Sequence, residues 1–379
     1  MTVSLRYDDD HALLRDQARR WLAQRSSIAQ VRRLAESSRG DDPPMWREMA
    51  GLGWLGLVIP EVYGGAGLGF VHLAVVLEET GRQLLPLPLL PVLLAAIAIE
   101  RGGSESQRAR LLPRLAAGEI VASLAHVEPS GAWGFGDTLA TRVDGRLTGE
   151  KHHVWAAPTA DLFLVPFREG GGTRIALLDA RAPGVKVEPE IGLDRTRRSG
   201  RLHLQQVAVA DEAVLPAAAE EILDYLLPRA CTALAAEMAG GADALLNMTA
   251  AYATTRVQFG KPIGSFQAVK HPLVNVLVAI EQLRSLVYAA AAALDAASPE
   301  AEMLARMAKA QASEAYPFAA GRAVQLHGGF GFTIDCDAHL YFKRAQCTRP
   351  AFGDATHHRR WIAECGIASV DQRSSGGRV

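Results

Sequence analysis

The spacing of apolar positions changes twice along this chain. From Asp8 to about Gly118 it follows the helical period: HALLRDQARRWLAQR sets Leu14, Ala18, Trp21 and Leu22 on one stripe with arginines opposite. MWREMAGLGWLGL reads as a further surface-packed helix, entered from the Asp41–Pro44 loop, whose two prolines suit a first helical turn. The segment IPEVYGGAGLG carries glycines at 64, 65, 67 and 69, too dense for the interior of a helix or strand, and predicts an ordered loop before the helix FVHLAVVLEETGR. Its GGAGLG string is no dinucleotide fingerprint, because no strand and βαβ context surrounds it.

At about Ile120 the pattern shortens. IVASLAHV, ADLFLVPF, TRIALLDA and RLHLQQVAV are separated by Gly, Pro and Asp turns as far as about Leu215, the signature of an antiparallel β-domain, either a small barrel or a sandwich. After Pro216 helix returns in three long alanine-rich runs, Glu220 to Arg256, Phe266 to Ala297 and Pro299 to His327, broken at GKPIGS and at Ala297–Pro299. The expected domains are therefore 1–119, helical; 120–215, β; and 216–379, a helical bundle.

Composition narrows the function classes. A chain of 379 residues that is 49% hydrophobic can bury more than one core. Forty basic against forty-one acidic side chains leave no field to recruit nucleic acid or an anionic membrane, and no basic patch stands out. The four cysteines, Cys231, Cys336, Cys347 and Cys365, have neither CxxC spacing nor disulfide-scaffold density, which fits reduced thiols in cytoplasm and gives no metal motif. The start, MTVSLRYDDDHALLRD, is acidic and lacks the basic and apolar parts of a signal peptide. The longest apolar run, Leu84 to Ile99, is shorter than a bilayer span and is interrupted by Pro86, Pro88 and Pro91, so it reads as a buried turn leading into a core helix.

Candidate chemistry concentrates in two C-terminal stretches, RVQFGKPIGSFQAVKH from Arg256 and QLHGGFGF from Gln325. Each joins a helical run to a glycine-rich turn and offers a guanidinium, side-chain amides or bare backbone N–H groups, the groups that hold a pyrophosphate. Arg256 has two readings, a bidentate fork for phosphate or a partner for the carbonyls ending its own helix. Gly328, Gly329 and Gly331 likewise read as a phosphate-approaching backbone or as a helix C-cap.

Together, and in this order, the two stretches resemble the flavin-binding signatures of the acyl-CoA dehydrogenase family. WREMAGLGWLGLVIPEVYGGAGLG, EETGRQLLPLP, LPRLAAGE and GEKHHVWAAPTADLFLV extend the resemblance across almost the whole chain. It implies an α+β multidomain fold, with an N-terminal helical domain, a central antiparallel β-barrel or sandwich and a C-terminal four-helix bundle. It implies FAD as cofactor, with Arg256, Phe259 and Gln267 touching its adenosine-pyrophosphate portion, commonly across a subunit interface, and Gln325 and the Gly328–Gly329 turn meeting the same end.

Two departures bear on the chemistry. Segments matching LAHVEPSG and KHHVWAAP commonly surround the isoalloxazine ring with a hydroxyl residue, backbone groups and an aromatic; here they offer His126, Val127 and Glu128, then Lys151, His153 and Trp155. A threonine at the flavin edge is replaced by Val127 in one and Trp155 in the other, leaving the backbone amides to serve. The second departure is the base that takes the α-proton of a thioester. The position where many members carry Glu is Phe352, followed by Gly353, and the other family location is Ala230. The nearest carboxylate is Asp354, which reads equally as the base or as a helix N-cap. Glu237 is a second candidate, and Tyr341 and Arg344 read as packing and charge pairing.

The resemblance thus implies oxidation of an acyl-CoA thioester to the 2,3-enoyl thioester, with electrons passed to an electron-transfer flavoprotein. Some bacterial relatives form α2β2 assemblies of two unlike chains acting on bulky steroid-derived thioesters, and the absent Glu fits one half of such an enzyme. A non-catalytic structural subunit and a flavin monooxygenase on the same scaffold are the competing readings.

Overall fold

The computed structural model describes residues 9–37 and 40–375; the stretch at residues 1–8, part of the segment read above for a signal peptide, lies outside them. Six helices come first: α1 (Asp9–Arg25), α2 (Ile28–Glu36), α3 (Pro43–Gly51), α4 (Phe70–Arg82), α5 (Leu89–Gly102) and α6 (Glu105–Ala116). Local chemistry sets several of their ends. Asp42 caps α3 by accepting from the Met45 N–H at 3.1 Å, with prolines in its first turn, and Ser104 and Gln107 close a capping box on α6. From Leu89 to Ile99, α5 is buried on every side, as expected for a helix apolar all round.

Seven strands follow in one sheet: β1 (Ala122–Leu124), β2 (Thr141–Val143), β3 (Arg146–Trp155), β4 (Leu162–Glu169), β5 (Gly172–Asp179), β6 (Val185–Pro189) and β7 (Ser199–Ala208). Their order is β1-β4-β2-β3-β7-β6, with β5 also paired to β4. The central β-domain is as expected, but its sheet is mixed where antiparallel pairing alone was expected. β4 runs parallel to both β1 and β2, and no barrel closes among the described residues. Only a hairpin forces neighbours to be antiparallel; strands joined by long excursions are free to pair in parallel. Three strands lie outside the four short runs named above: the short β2 and β6, and β3, one of the two longest, whose GEKHHVW half lacks an apolar alternation. Leu147, Val154, Phe163, Val165, Phe167, Leu178, Leu202 and Leu204 form the core of the sheet.

The helical remainder is α7 (Ala219–Thr255), α8 (Gln267–Asp295), α9 (Ala301–Leu326), α10 (Ala338–Thr348) and α11 (Ala355–Ser375), with a short hairpin of β8 (Val257–Gln258) and β9 (Lys261–Pro262) between α7 and α8. α9 lies at the centre, packed on α8, α10 and α11. By length and composition α8 is apolar enough to cross a bilayer; here it buries Val276, Ile280, Leu283 and Val287 and exposes Val274, Leu277 and Val278.

The chain forms two compact units. One combines Met1–Leu22, Ala74–Leu84 and Cys231–Val379; the other combines Ala23–Leu73 and Leu85–Ala230. In the first, α4 and α7 meet backbone to backbone, since a Cβ on Gly81 would lie 1.9 Å from the Glu237 carbonyl oxygen and one on Gly240 1.7 Å from that of Glu78. In the second, the sheet and α5 share a core contact through β1.

Candidate active site and cofactor contacts

Where α7 ends, the chain makes a two-residue hairpin turn through Phe259 and Gly260, both at positive φ (53° and 76°), the backbone such tight hairpins require. The turn leaves Phe259 91% exposed, with its ring edge-on to Phe266 at 6.0 Å. Arg256 stands exposed at the base of this hairpin and makes no ion pair among the described residues; Gln267 opens α8, also exposed.

The second signature comes to the same end of the bundle. His327 caps α9, its ring stacked on Tyr252 of α7 at 4.4 Å with Phe330 beyond, which fastens the end of α9 beside the end of α7. Gln325, Gly328 and Gly329 are exposed there. Gly328 needs its glycine for a φ of 64°, and Gly331 because a Cβ would meet the Val324 carbonyl oxygen at 2.3 Å. Gly329 has neither reason: its φ is ordinary and a Cβ would point into open space. Nothing among the described residues demands glycine at 329.

In the other unit, LAHVEPSG and KHHVWAAP are neighbours, joined by the His152 N–H donating to the Val127 carbonyl at 2.9 Å. Lys151 and Glu128 form a wholly buried ion pair beneath them, and Glu128 also accepts from the Leu139 N–H. Burial pulls the Lys151 ammonium below its ordinary range against the pull of Glu128. Burial, with the Lys151 charge adding to it, pushes His126 down to about 4, so its imidazole is neutral near pH 7. His153 sits in a bulge at a φ of 50° and bonds Glu190 at 3.1 Å, while the Arg197 guanidinium lies over the Trp155 ring at 4.7 Å. Val127 is half-buried.

At the expected base position Phe352 is buried with a φ of 56°. Asp354 is half-exposed and caps α11, accepting from the His357 N–H at 2.9 Å; that bond, with the Thr356 N–H and the charges of Arg349 and Lys309, holds its carboxyl below the usual range. Glu237 is buried and bonded to the buried Arg344 at 2.8 Å. Tyr341 donates to the Arg82 carbonyl at 2.7 Å, and burial raises its phenol. Ala230 is buried and apolar. A group missed in the sequence reading also lies here: Lys309, wholly buried on α9, with Cys231 and His358 beside each other at 3.9 Å.

Comparison with known proteins decides the family. The family model for the acyl-CoA dehydrogenase N-terminal domain matches residues 8–119, and that for the C-terminal domain matches residues 224–366. The chain belongs to the acyl-CoA dehydrogenase family. Acyl-CoA dehydrogenase IpdE2 of Mycobacterium tuberculosis is 34% identical over 338 residues, covering 89% of this chain and 91% of that protein. FadE27 of the same organism is 32% identical over 332 residues, covering 85% and 87%. Among solved structures, the Tcur3481-Tcur3483 steroid ACAD G363A variant aligns with a TM-score of 0.86 at 33% identity, covering 96% of this chain and 99% of that one. The ChsE4-ChsE5 complex from Mycobacterium tuberculosis aligns at 0.87 and 29%, covering 95% and 98%. The family is one of FAD-dependent oxidoreductases. Its cofactor suits the residues present, since the open backbone at Gly329, the unpaired Arg256 and the exposed amides of Gln267 and Gln325 share one end of the bundle.

Proposed function

We propose that this chain takes part in the FAD-dependent α,β-dehydrogenation of an acyl-CoA thioester, in the cytoplasm, and that electrons pass to an electron-transfer flavoprotein. The observation that supports this is that Tyr252 and His327 fasten the end of α7, just before Arg256, beside the end of α9, just before the open Gly328–Gly329 turn, which offers a guanidinium and bare backbone to a pyrophosphate from one end of the bundle. Arg256, Phe259, Gln267, Gln325 and that turn would hold the adenosine-pyrophosphate end, and the backbone at Val127 the flavin edge. FAD, when bound, supplies the hydride acceptor for the β-carbon.

What this chain does with the α-proton has two readings. In one, Asp354 accepts it. In the other, the carboxylate belongs to an unlike partner chain, and this is favoured by two features: Phe352 fills the base position, and Asp354 is committed to capping α11 with its basicity lowered. Names of the neighbours support a two-chain assembly, since both of those above are written as pairs of proteins, one of them a steroid enzyme. A bulky thioester and an α2β2 assembly are therefore the substrate class and partner arrangement proposed.

The test is anaerobic mixing of the co-purified, FAD-loaded complex with steroid-derived and straight-chain acyl-CoA thioesters while flavin absorbance is followed. Bleaching by a thioester supports dehydrogenation; a flavin that no thioester bleaches, in a complex that consumes oxygen only when its flavin is first reduced, would overturn it. Asp354→Asn then separates the two bases. If Asp354 is the base, bleaching slows by about two orders of magnitude or more; if it is only the cap, Asn caps nearly as well and the rate is unchanged.

A further inference from the structure

Lys309 stands in the middle of α9 between Ala308 and Ala310, and none of its surface reaches solvent. An ammonium so placed is costly, and it is kept here by using all three of its donors: Ser313 Oγ at 2.7 Å, the Arg349 carbonyl at 2.9 Å and the Gly353 carbonyl at 2.9 Å. Ser313 adds a bond of its own to the Arg349 carbonyl at 3.1 Å. Two of the three acceptors are main-chain oxygens at the two ends of the turn from α10 to α11. That turn contains the positive-φ pair Phe352 (56°) and Gly353 (96°), the first a conformation that a bulky side chain adopts only when its surroundings over-determine it. A side chain at 353 is also refused, because a Cβ would come within 2.6 Å of His357 and 3.0 Å of His358.

We propose that Lys309 is the positioning residue of the α10–α11 turn, drawing the carbonyls of Arg349 and Gly353 together so that Phe352 and Asp354 are held in one geometry for the thioester. The last clause rests on the dehydrogenase reading; the clamp itself does not. A neutral hydrogen-bonding side chain in this place would serve helix packing at lower cost, and an ion pair would serve charge balance. Lys309 is satisfied by neutral acceptors instead, an arrangement that shapes backbone. The charged and titratable groups around it are Cys231 on α7, Arg306 on α9, Asp354 at the rim and His357 and His358 on α11. Burial brings Lys309 down to about 8, with Cys231 and Asp354 opposing.

The test compares wild type with Lys309→Met, of similar length and apolar, and Lys309→Gln, which keeps a donor, in the FAD-loaded complex by amide hydrogen exchange. Expected in Lys309→Met is exchange faster by about tenfold or more across residues 350–358, with α8 little changed and FAD retained. Lys309→Gln should fall between. Absorbance changes of the flavin on titration with a thioester should show a weakened Kd in the same order. Unchanged exchange in 350–358, or exchange that rises equally throughout the bundle, would overturn the proposal, the latter marking Lys309 as a general stabiliser. If Lys309→Met does not fold, Lys309→Gln alone decides by the same comparison. A wild-type flavin that responds to no thioester counts against the dehydrogenase reading and leaves the exchange result to judge the clamp.

Discussion

His358 shows how strongly one residue's surroundings set its chemistry. It lies wholly inside the bundle against Cys231, and burial, aided by the positive charges of Lys309 and Arg306, lowers it from 6.5 to about 3. A group with a depressed folded pKa stabilises the fold above its unfolded value, and that stability drains away as pH falls from 6.5 toward the folded value. Lowering pH from 7.5 to 5.5 should therefore cost the protein about 1 kcal/mol through this residue alone. Denaturant midpoints of His358→Leu and wild type, measured across that range, should converge on the acid side; parallel curves would show that His358 is not buried neutral. At this scale the sequence was legible in part. Asp354 before Ala355–Thr356–His357 could be read as a cap from its type and place, and it is one. Lys309 could not be found, because in an alanine-rich helix nearly every position is apolar and the period no longer tells which face is inside.

Among elements, α4 and α7 meet closely in the first unit, and two kinds of residue make that contact. Gly81 and Gly240 remove the side chains that would keep the backbones apart. Around them runs a charged network: Asp243 is paired with Arg82 and, at 2.8 Å, with Arg284; Arg284 reaches Glu78 at 2.9 Å, and Arg19 reaches Glu79 at 2.9 Å. Asp243→Ala takes one carboxylate from Arg82 and Arg284, both of which keep Glu78, and should cost about 1.5–3 kcal/mol, the range for hydrogen bonds to charged groups. The exposed pair Arg25–Glu48 gives the contrast, where Glu48→Ala should cost less than about 1 kcal/mol. Urea titration of both variants checks the difference, and equal losses would mean that the network is not buried as described. The glycine spacing gave no hint of this crossing in the sequence, since a glycine in a helix looks the same whether it meets solvent or another backbone.

For the molecule as a whole, the exposed apolar side chains of the first unit are unusual in size and number: Phe259, Phe330, Phe332 and Ile334 around the two signatures, and Val274, Leu277 and Val278 on α8. Exposure of this kind supports the proposal that this surface meets a protein partner. Sedimentation of the purified material should show a dimer or tetramer, of like or unlike chains. If Arg256 holds the pyrophosphate as proposed, Arg256→Ala should keep that assembly but lose FAD on desalting, since a charge-assisted contact of that kind is worth about 1.5–3 kcal/mol. A stable monomer with a complete flavin spectrum, or a variant that retains stoichiometric FAD, would separate Arg256 from the cofactor.

The sequence by itself determined what local patterns encode. The three long C-terminal helices, expected at Glu220–Arg256, Phe266–Ala297 and Pro299–His327, begin and end within a residue or two of the observed α7, α8 and α9, because caps, prolines and glycine turns act over a few residues. The two signatures likewise stood out as strings. Only the tertiary structure decided which distant pieces meet. Parallel pairing of β4 with β1 and β2, the burial of β3's Lys151 on Glu128, the fastening of α7 to α9 through Tyr252 and His327, and the seat of Lys309 under the α10–α11 turn all join residues far apart in the chain. Such pairings depend on which surfaces exclude water together, and a period along one segment carries no record of its partner.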